Sequence, residues 1–346
     1  MEKTDTRLSF NGKSLEQIVS DRDMGFAVRG LFTALIAAIL WGIYGSLMDS
    51  ALGLSPFDST AFALLAIPAA SGFIEEVACS FFLFLINLKK GKIKEYGRAI
   101  KTKSGKLICL GGILGGPFAL TGSMAAILLC GPSYALCITA MYPVLGTIFS
   151  ALFLKEKTNL RLWLGVILCV GGGIVLGFTP PQGVDSKMFY LGILFAVIAC
   201  VGWGAEGVIS GYGTDTIDSD IGTGLRFMAS AIVYAVMLPF VGGINVLAKA
   251  AGENPISIIA IAAVALLAAL SVIYWYKAFG MTGVSRAVAC NGTYGLWGII
   301  FNAILGALGI VTFHFSPNLI IGGIVSLVGL VLVVGNPKEL LKLRDN

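Results

Sequence analysis

The sequence has few charged residues and a single histidine. Only 12% of its 346 residues are Asp, Glu, Lys or Arg, whereas 57% are hydrophobic. Soluble domains have roughly 25% charged residues, and so much apolar surface cannot be buried in one globular core. A lone histidine, His314, excludes His-based metal clusters and His-dependent catalytic triads. The sequence therefore predicts a membrane protein that is not an enzyme and needs no metal or other cofactor.

Long apolar segments fill most of the chain. A membrane-spanning helix needs about 20 apolar residues, which predicts an all-α membrane protein with about ten transmembrane helices. We place these at residues 30–53, 60–87, 106–128, 132–154, 159–178, 188–210, 223–248, 255–279, 285–309 and 317–335. The predicted domains are an N-terminal extension (1–29), two five-helix repeats (30–178 and 188–335) and a tail (336–346).

The distribution of basic residues predicts the orientation in the membrane. Lysines and arginines outnumber acids by 24 to 19, and many lie at 89–106, between the second and third spans. Basic loops stay on the cytoplasmic side, so both termini are predicted to be cytoplasmic. The segment 211–223 is acidic although it falls on the same side, but acids contribute little to this rule. Membrane orientation accounts for the positive charge without a nucleic-acid partner.

Three pairs of spans resemble each other in sequence. Trp41-Gly42 in the first span matches Trp203-Gly204 in the sixth at an offset of 162 residues. Tyr142 in the fourth span matches Tyr294 in the ninth at an offset of 152, and the fifth and tenth spans share their glycine spacing. With five spans per half, the second half must enter the membrane in the opposite orientation. Such inverted repeats are typical of alternating-access transporters, which bind substrate near the membrane midplane.

Several aromatic and polar side chains are predicted at the midplane between the two halves. A pocket of indoles, phenols and one carboxylate suits a quaternary ammonium cation, which aromatic faces attract. For a single Trp, packing or a place at the membrane interface is the simpler interpretation, but repetition at symmetric positions favours a binding role. The predicted substrate-binding residues are Trp41, Tyr44, Tyr142, Trp203, Glu206, Asn291, Tyr294 and Trp297.

Two further acids, Glu75 and Glu76, occur in the second span. Adjacent helical residues point about 100° apart, so at most one of them can face the substrate path. A structural hydrogen bond and a role in proton coupling are equally consistent with either. Arg226, at the start of the seventh span, is expected to extend its guanidinium to the inner interface, with gating of the inner mouth as the alternative.

These residues resemble a known family. The inverted repeat, the paired Trp-Gly motifs and Leu154-Lys-Glu-Lys157 resemble the drug/metabolite transporter superfamily, EamA type, over residues 30–336. Four strings resemble bacterial choline permeases of the LicB type: Gly115-Gly-Pro117, Thr139-Ala-Met-Tyr142-Pro143, Trp203-Gly-x-Glu206 and Asn291-Gly-Thr-Tyr294-Gly-Leu-Trp297. In that family, an aromatic box with an acidic residue binds choline and related amines.

The resemblance implies an importer of choline or a related quaternary ammonium compound in the bacterial cytoplasmic membrane. The membrane potential alone could support inward movement of a cation, with protons as an optional second driving force. The main alternative is an EamA-type exporter of amino acids, drugs or other metabolites. A membrane enzyme acting on lipid headgroups is disfavoured by the missing catalytic clusters, and a purely structural scaffold by the buried Glu206.

Overall fold

The computed structural model describes residues 9–10, 13–59, 62–153, 160–177, 185–214, 216–282, 284–311 and 316–334. Within these ranges every regular element is helical except one short antiparallel pair, β1 (Ser9–Phe10) with β2 (Lys13–Ser14). The prediction of an all-α protein is therefore confirmed for the described residues, apart from this short pair of strands. The Leu154–Lys157 motif, His314, Asp215 and the predicted tail (336–346) lie outside the described residues.

Fifteen α-helices and one π-helical segment form the described structure. The helices are α1 (Leu15–Leu52), α2 (Ala66–Lys89), α3 (Ile93–Ala99), α4 (Lys103–Ile113), α5 (Thr121–Cys130), α6 (Pro132–Thr139), α7 (Tyr142–Phe153), α8 (Leu160–Gly177), α9 (Ser186–Thr214), α10 (Ser219–Val241), α11 (Gly243–Glu253), α12 (Pro255–Thr282), α13 (Val284–Asn291), α14 (Tyr294–Ala307) and α15 (Pro317–Val334). The π-helical segment Leu114–Leu120 joins α4 to α5.

Six of these helical stretches are long and apolar enough to cross a membrane: Val28–Leu52, Ala66–Lys89, Lys103–Cys130, Ser186–Gly211, Ser219–Val241 and Pro255–Thr282. Shorter apolar helices occur at Trp163–Val175, Tyr294–Ala307 and Pro317–Leu332. Large apolar side chains such as Phe81, Ile167, Ile232 and Phe240 are exposed on the outside of the bundle, as expected where lipid replaces water. The arrangement as ten spans in two inverted repeats stays a prediction.

Two of the predicted spans are interrupted at matching positions. The fourth is split into α6 and α7 at Ala140–Met141, and the ninth into α13 and α14 at Gly292–Thr293. As a result, Tyr142 and Tyr294 are the first residues of α7 and α14. Irregular backbone at membrane depth is tolerated where it is buried in protein or lines a cavity, and both interruptions lie inside the bundle.

The helices pack in a pattern that relates the two halves of the chain. Helix α1 packs along α12 and against α14, whereas α9 packs against α4, α5 and the π-helical segment and also against α7. Three further pairs join the halves directly, namely α2 with α10, α6 with α14, and α8 with α15. The interior between these helices contains the site described below.

The acidic segment before α10 lies against the basic loop after α2. Lys90 forms an ion pair with Asp220, and Lys92 Nζ lies 2.8 Å from a carboxylate oxygen of Asp218. The hydrogen bond to Asp218 raises the pKa of the Lys92 ammonium. Lys277, at the end of α12, also reaches Asp220, at 3.4 Å. Both segments are therefore on the same side of the bundle, and the local charge of the acidic segment is balanced there.

Candidate substrate-binding site

A cavity lies between α1, α7, α9, α10, α12, α13 and α14. Six predicted substrate residues line it: Trp41, Tyr142, Trp203, Glu206, Asn291 and Tyr294. The other lining residues are Arg226, Ser271, Val272 and Trp275. The cavity therefore brings together aromatic rings, a carboxylate and a guanidinium from both halves of the chain.

Four of the aromatic residues form two pairs whose members match in sequence at the offsets of 162 and 152 residues. The rings of Trp41 and Trp203 meet edge to face with centroids 5.5 Å apart. The rings of Tyr142 and Tyr294 are stacked, with centroids 6.3 Å apart and an interplanar angle of 16°. Because the members of each pair contact one another, a ligand in this conformation sits beside each pair and not between its members.

Arg226 is buried between two carboxylates at the edge of the cavity. Its Nε donates to Glu206 at 2.9 Å and its Nη1 donates to Glu76 at 2.5 Å. All three side chains are almost fully buried, so the expectation that Arg226 reaches the inner interface is wrong. Burial without partners would be very costly for each of these charges, and the guanidinium compensates both carboxylates. With all three groups ionised, the cluster has one net negative charge.

Glu75 faces a different neighbour from Glu76. The Tyr44 hydroxyl donates to Glu75 at 2.5 Å, and the Tyr44 ring packs on Trp41 with centroids 4.8 Å apart. Tyr44 therefore lies behind the cavity wall and is not one of its lining residues. The two acids point in different directions, as their adjacent helical positions require, and each has a polar partner inside the bundle.

Trp297 is also outside the cavity lining. Its ring is near Phe301, with centroids 6.4 Å apart, and its backbone and Cβ lie against Gly42. Sequence reasoning missed Ser271 and Trp275 on α12. Their spacing of four residues places them on one helix face, but α12 is apolar all round and offers no polar face to distinguish them.

The π-helical segment explains the Gly115-Gly-Pro117 string. Its geometry leaves the Gly115 carbonyl free to accept the indole N–H of Trp203 at 3.0 Å, and the Gly116 carbonyl accepts the Tyr234 hydroxyl at 3.2 Å. A Cβ on Gly115 would overlap the Glu206 carboxylate. Local π-helical turns are frequent at functional sites, and this one fixes the positions of both Trp203 and Glu206.

Replacing Gly115 with alanine should therefore destabilise the protein. The new methyl group must displace the Glu206 carboxylate from Arg226, and overpacking of this kind costs about 1–3 kcal/mol. Thermal unfolding of the purified variant in detergent measures the effect. Gly207→Ala is the matched control, because Gly207 is helical and has open space where its Cβ would lie. Equal unfolding temperatures for the two variants would contradict the proposed close contact.

The six long apolar helices define a multi-pass membrane protein, and comparison with known proteins shows similarity to a family of transporters. The EamA-like transporter family matches residues 28–178. Protein LicB of Haemophilus influenzae is 25% identical over 272 residues, which cover 79% of this chain and 87% of LicB. A solved crystal structure shares the fold, with a TM-score of 0.55 and 17% identity over 88% of this chain and 96% of that one.

These matches confirm the resemblance inferred from the sequence motifs. The first half of the chain is similar to the EamA-like transporter family, and most of its length is similar to LicB. The family match points to a transporter.

Proposed function

We propose that this protein imports choline or a related quaternary ammonium compound by alternating access. The observation that supports the proposal most is the composition of the cavity, in which five aromatic side chains from both halves of the chain adjoin a buried cluster of two carboxylates and one guanidinium. A methylated ammonium forms no conventional N–H hydrogen bond, but it is attracted to each aromatic face by about 0.5–2 kcal/mol. The excess carboxylate adds long-range attraction in a medium of low dielectric constant.

The proposal includes ten spans in two inverted five-helix repeats. Exchanging each span of the first half with its counterpart in the second converts the contact of α1 with α12 into that of α9 with α4 and α5. The same exchange converts the contact of α1 with α14 into that of α9 with α7 and the contact of α6 with α14 into that of α13 with α7, and it leaves α2–α10 and α8–α15 unchanged. All of these contacts are observed, which supports the repeat. Substrate sites in such transporters lie at the repeat interface, often beside interrupted helices.

The choice of choline rests on the resemblance to choline permeases, together with the relationship to LicB. The membrane potential is the proposed driving force, since moving one positive charge inward gains about 2.3 kcal/mol per 100 mV. Protons are an optional second driving force, with Glu75 and Glu76 as the candidate sites. Export of amino acids, drugs or other metabolites is the alternative.

Uptake into proteoliposomes tests this function. With a membrane potential that is negative inside, labelled choline should accumulate saturably, and Trp203→Ala should reduce uptake about tenfold or more through the loss of one aromatic face and its packing. Trp163→Ala is a control, because Trp163 lies on α8 away from the cavity and is 45% exposed. Absence of saturable uptake in the wild type would contradict the proposal and favour the exporter. Equal uptake by Trp203→Ala would contradict the role of the cavity in binding choline.

The orientation is also open to test. We propose that both termini and the contacting loops near Lys92 and Asp218 face the cytoplasm of a bacterial cell, with Lys249 on the outside. Each cysteine is introduced into a variant that lacks the native cysteines. In intact cells, an impermeant thiol reagent should then label Lys249→Cys but neither Lys92→Cys nor Asp218→Cys. Labelling of Lys92→Cys and Asp218→Cys from opposite sides would contradict the loop packing itself.

A further inference from the structure

The segment that joins α2 to α4 contains more positive charge than the nearby acids balance. Residues 89–106 include seven lysines and one arginine but a single acid, which pairs with the arginine. Lys90 and Lys92 pair with Asp220 and Asp218 at the start of α10. The other five lysines are exposed, and none of them forms an ion pair with any residue that the structure describes: Lys89, Lys94, Lys101, Lys103 and Lys106.

These five lysines lie at or between the ends of two membrane-spanning stretches. One candidate span ends at Lys89 and another begins at Lys103, and helix α3 lies between them along the chain. Helix α3 also packs against α10, which itself packs against both α2 and α4. The segment therefore crosses the end of the bundle, where hydrocarbon gives way to lipid headgroups and water. Lysine side chains are long enough to place their ammonium groups among those headgroups.

The unpaired lysines share helix faces with exposed apolar residues. On α4, Lys103, Lys106 and Leu110 follow each other at spacings of three and four residues, which places them on one side of the helix. On α2, Leu85 and Lys89 are related by a spacing of four. The two leucines are 45% and 44% exposed, respectively. Each outward face thus changes from apolar to cationic along the helix, as a phospholipid leaflet changes from acyl chains to phosphates.

The backbone that carries the lysines of α4 is fixed by internal contacts. The Thr102 hydroxyl donates to the Ala99 carbonyl at 2.7 Å and accepts from the Gly105 N–H at 3.0 Å, which caps the helix. On the face of α4 opposite its lysines, Ile108 is fully buried in an apolar cluster with Leu225 of α10. The lysines of α4 therefore point away from the bundle on a preformed backbone.

Membrane orientation by itself accounts for basic residues anywhere in this segment. It does not require that they divide into two sets. Here Lys90 and Lys92 are compensated by acids of α10, whereas the unpaired lysines of α2 and α4 continue the lipid-exposed faces of those helices. The uncompensated set has the position and the charge that complement the phosphates of anionic lipids.

We propose that the five unpaired lysines, which we call the basic rim, bind the phosphate groups of anionic phospholipids such as phosphatidylglycerol. The proposal does not depend on what the cavity transports. One lysine beside a membrane span strengthens attachment to an anionic lipid surface about fivefold, and several lysines act together. The exposed leucines next to the rim contact the acyl chains of the same lipids, so a soluble phosphate lacks that part of the interaction.

Lipid titration of the purified full-length protein in neutral detergent tests the basic rim. Thermal unfolding is followed while phosphatidylglycerol, or phosphatidylcholine with the same acyl chains, is added. We expect half-maximal stabilisation at an about tenfold or more lower concentration of phosphatidylglycerol, and loss of this difference at high salt, which screens the charges. Lys103→Gln combined with Lys106→Gln should raise the required phosphatidylglycerol concentration about tenfold or more and leave the response to phosphatidylcholine unchanged.

Lys187→Gln combined with Lys249→Gln is the matched control. It removes the same number of positive charges from the opposite end of the bundle, because α9 begins at Ser186 and ends at Thr214, close to the acidic segment, and α11 follows the far end of α10. None of the four substituted lysines is buried, so both double variants should unfold near the wild-type temperature without lipid. The control should keep the wild-type response to phosphatidylglycerol.

Three outcomes would overturn the basic rim. The first is equal stabilisation of the wild type by the two lipids. The second is an equal loss of the phosphatidylglycerol response in both double variants, which would assign the effect to net charge. The third is stabilisation by glycerol phosphate, which has no acyl chains, at the same concentration as phosphatidylglycerol, because the lysines would then bind soluble anions. None of these outcomes bears on choline uptake, so the proposed function is tested separately.

Discussion

Glu206→Gln should weaken choline binding by about 30-fold or more. The substitution keeps the size of the side chain but removes its charge, which leaves Arg226 paired with Glu76 alone and the buried cluster neutral. The bound cation then loses its attraction to a buried carboxylate, which for two unit charges about 4 Å apart is on the order of 4 kcal/mol at an effective dielectric constant of about 20. Equilibrium binding of labelled choline to the purified variant measures the loss.

The control for this substitution is Glu95→Gln. Glu95 forms an exposed ion pair with Arg98 at 2.7 Å, far from the cavity lining, and such pairs contribute little. The Glu95→Gln variant should therefore bind choline as tightly as the wild type does. Unchanged affinity in Glu206→Gln would show that the aromatic rings alone select the cation.

Arg226→Met should lower the free energy of unfolding by about 3–5 kcal/mol, because it leaves Glu76 and Glu206 buried without their shared counter-ion. Thermal unfolding in detergent detects this loss. Adding Glu76→Gln and Glu206→Gln to Arg226→Met removes all three charges and should recover part of the stability, since replacing a whole buried ion cluster is often nearly neutral. The recovery distinguishes an electrostatic cause from lost packing.

Lys92→Met is the surface counterpart of this experiment. The ion pair of Lys92 with Asp218 is partly solvated, with side chains 34% and 48% exposed. Exposed pairs contribute about 0–1 kcal/mol, so the unfolding temperature should change little. A stability loss in Lys92→Met as large as that in Arg226→Met would contradict the assignment of Arg226 as the central counter-ion.

Four of the aromatic residues that line the cavity could be predicted because they recur in both halves of the sequence. Trp41 and Trp203, and Tyr142 and Tyr294, recur at constant offsets within apolar segments, and each pair meets in the structure. Because residues at matching positions of the two halves are expected to face each other, their contact can be predicted without knowing how each helix is rotated about its axis. A single occurrence, such as Trp275, has no such partner, and its apolar helix does not reveal which face is buried.

The role of Arg226 could not be predicted because it depends on where α10 begins. The hydropathy profile starts the seventh span near residue 223, which places Arg226 in the first turn at the interface. In the structure, Asp218 caps the helix by accepting from the backbone N–H groups of Asp220 and Ile221, so α10 begins at Ser219. Arg226 therefore lies about two turns, or roughly 10 Å, inside the helix. At that depth only a carboxylate partner can compensate its charge.

The sequence also left Glu75 and Glu76 undecided between a structural hydrogen bond and proton coupling. The structure assigns them different neighbours, Tyr44 and Arg226 respectively. Their rotation by about 100° was predictable from helix geometry, but the identity of each partner depends on the packing of α2 against α1 and α10. Proton coupling itself remains a prediction for transport experiments at controlled membrane potential.

The proposed function requires that the cavity recognise a quaternary ammonium cation through its charge. Competition of labelled choline by dimethylbutanol, its uncharged carbon analogue, measures this recognition, because the two molecules share shape and hydroxyl group. We expect saturable choline binding and displacement by dimethylbutanol that is at least about 30-fold weaker, since the neutral molecule is attracted neither to the aromatic faces nor to the Glu206 carboxylate through charge. Equal displacement by the neutral analogue, or no saturable choline binding, would contradict it.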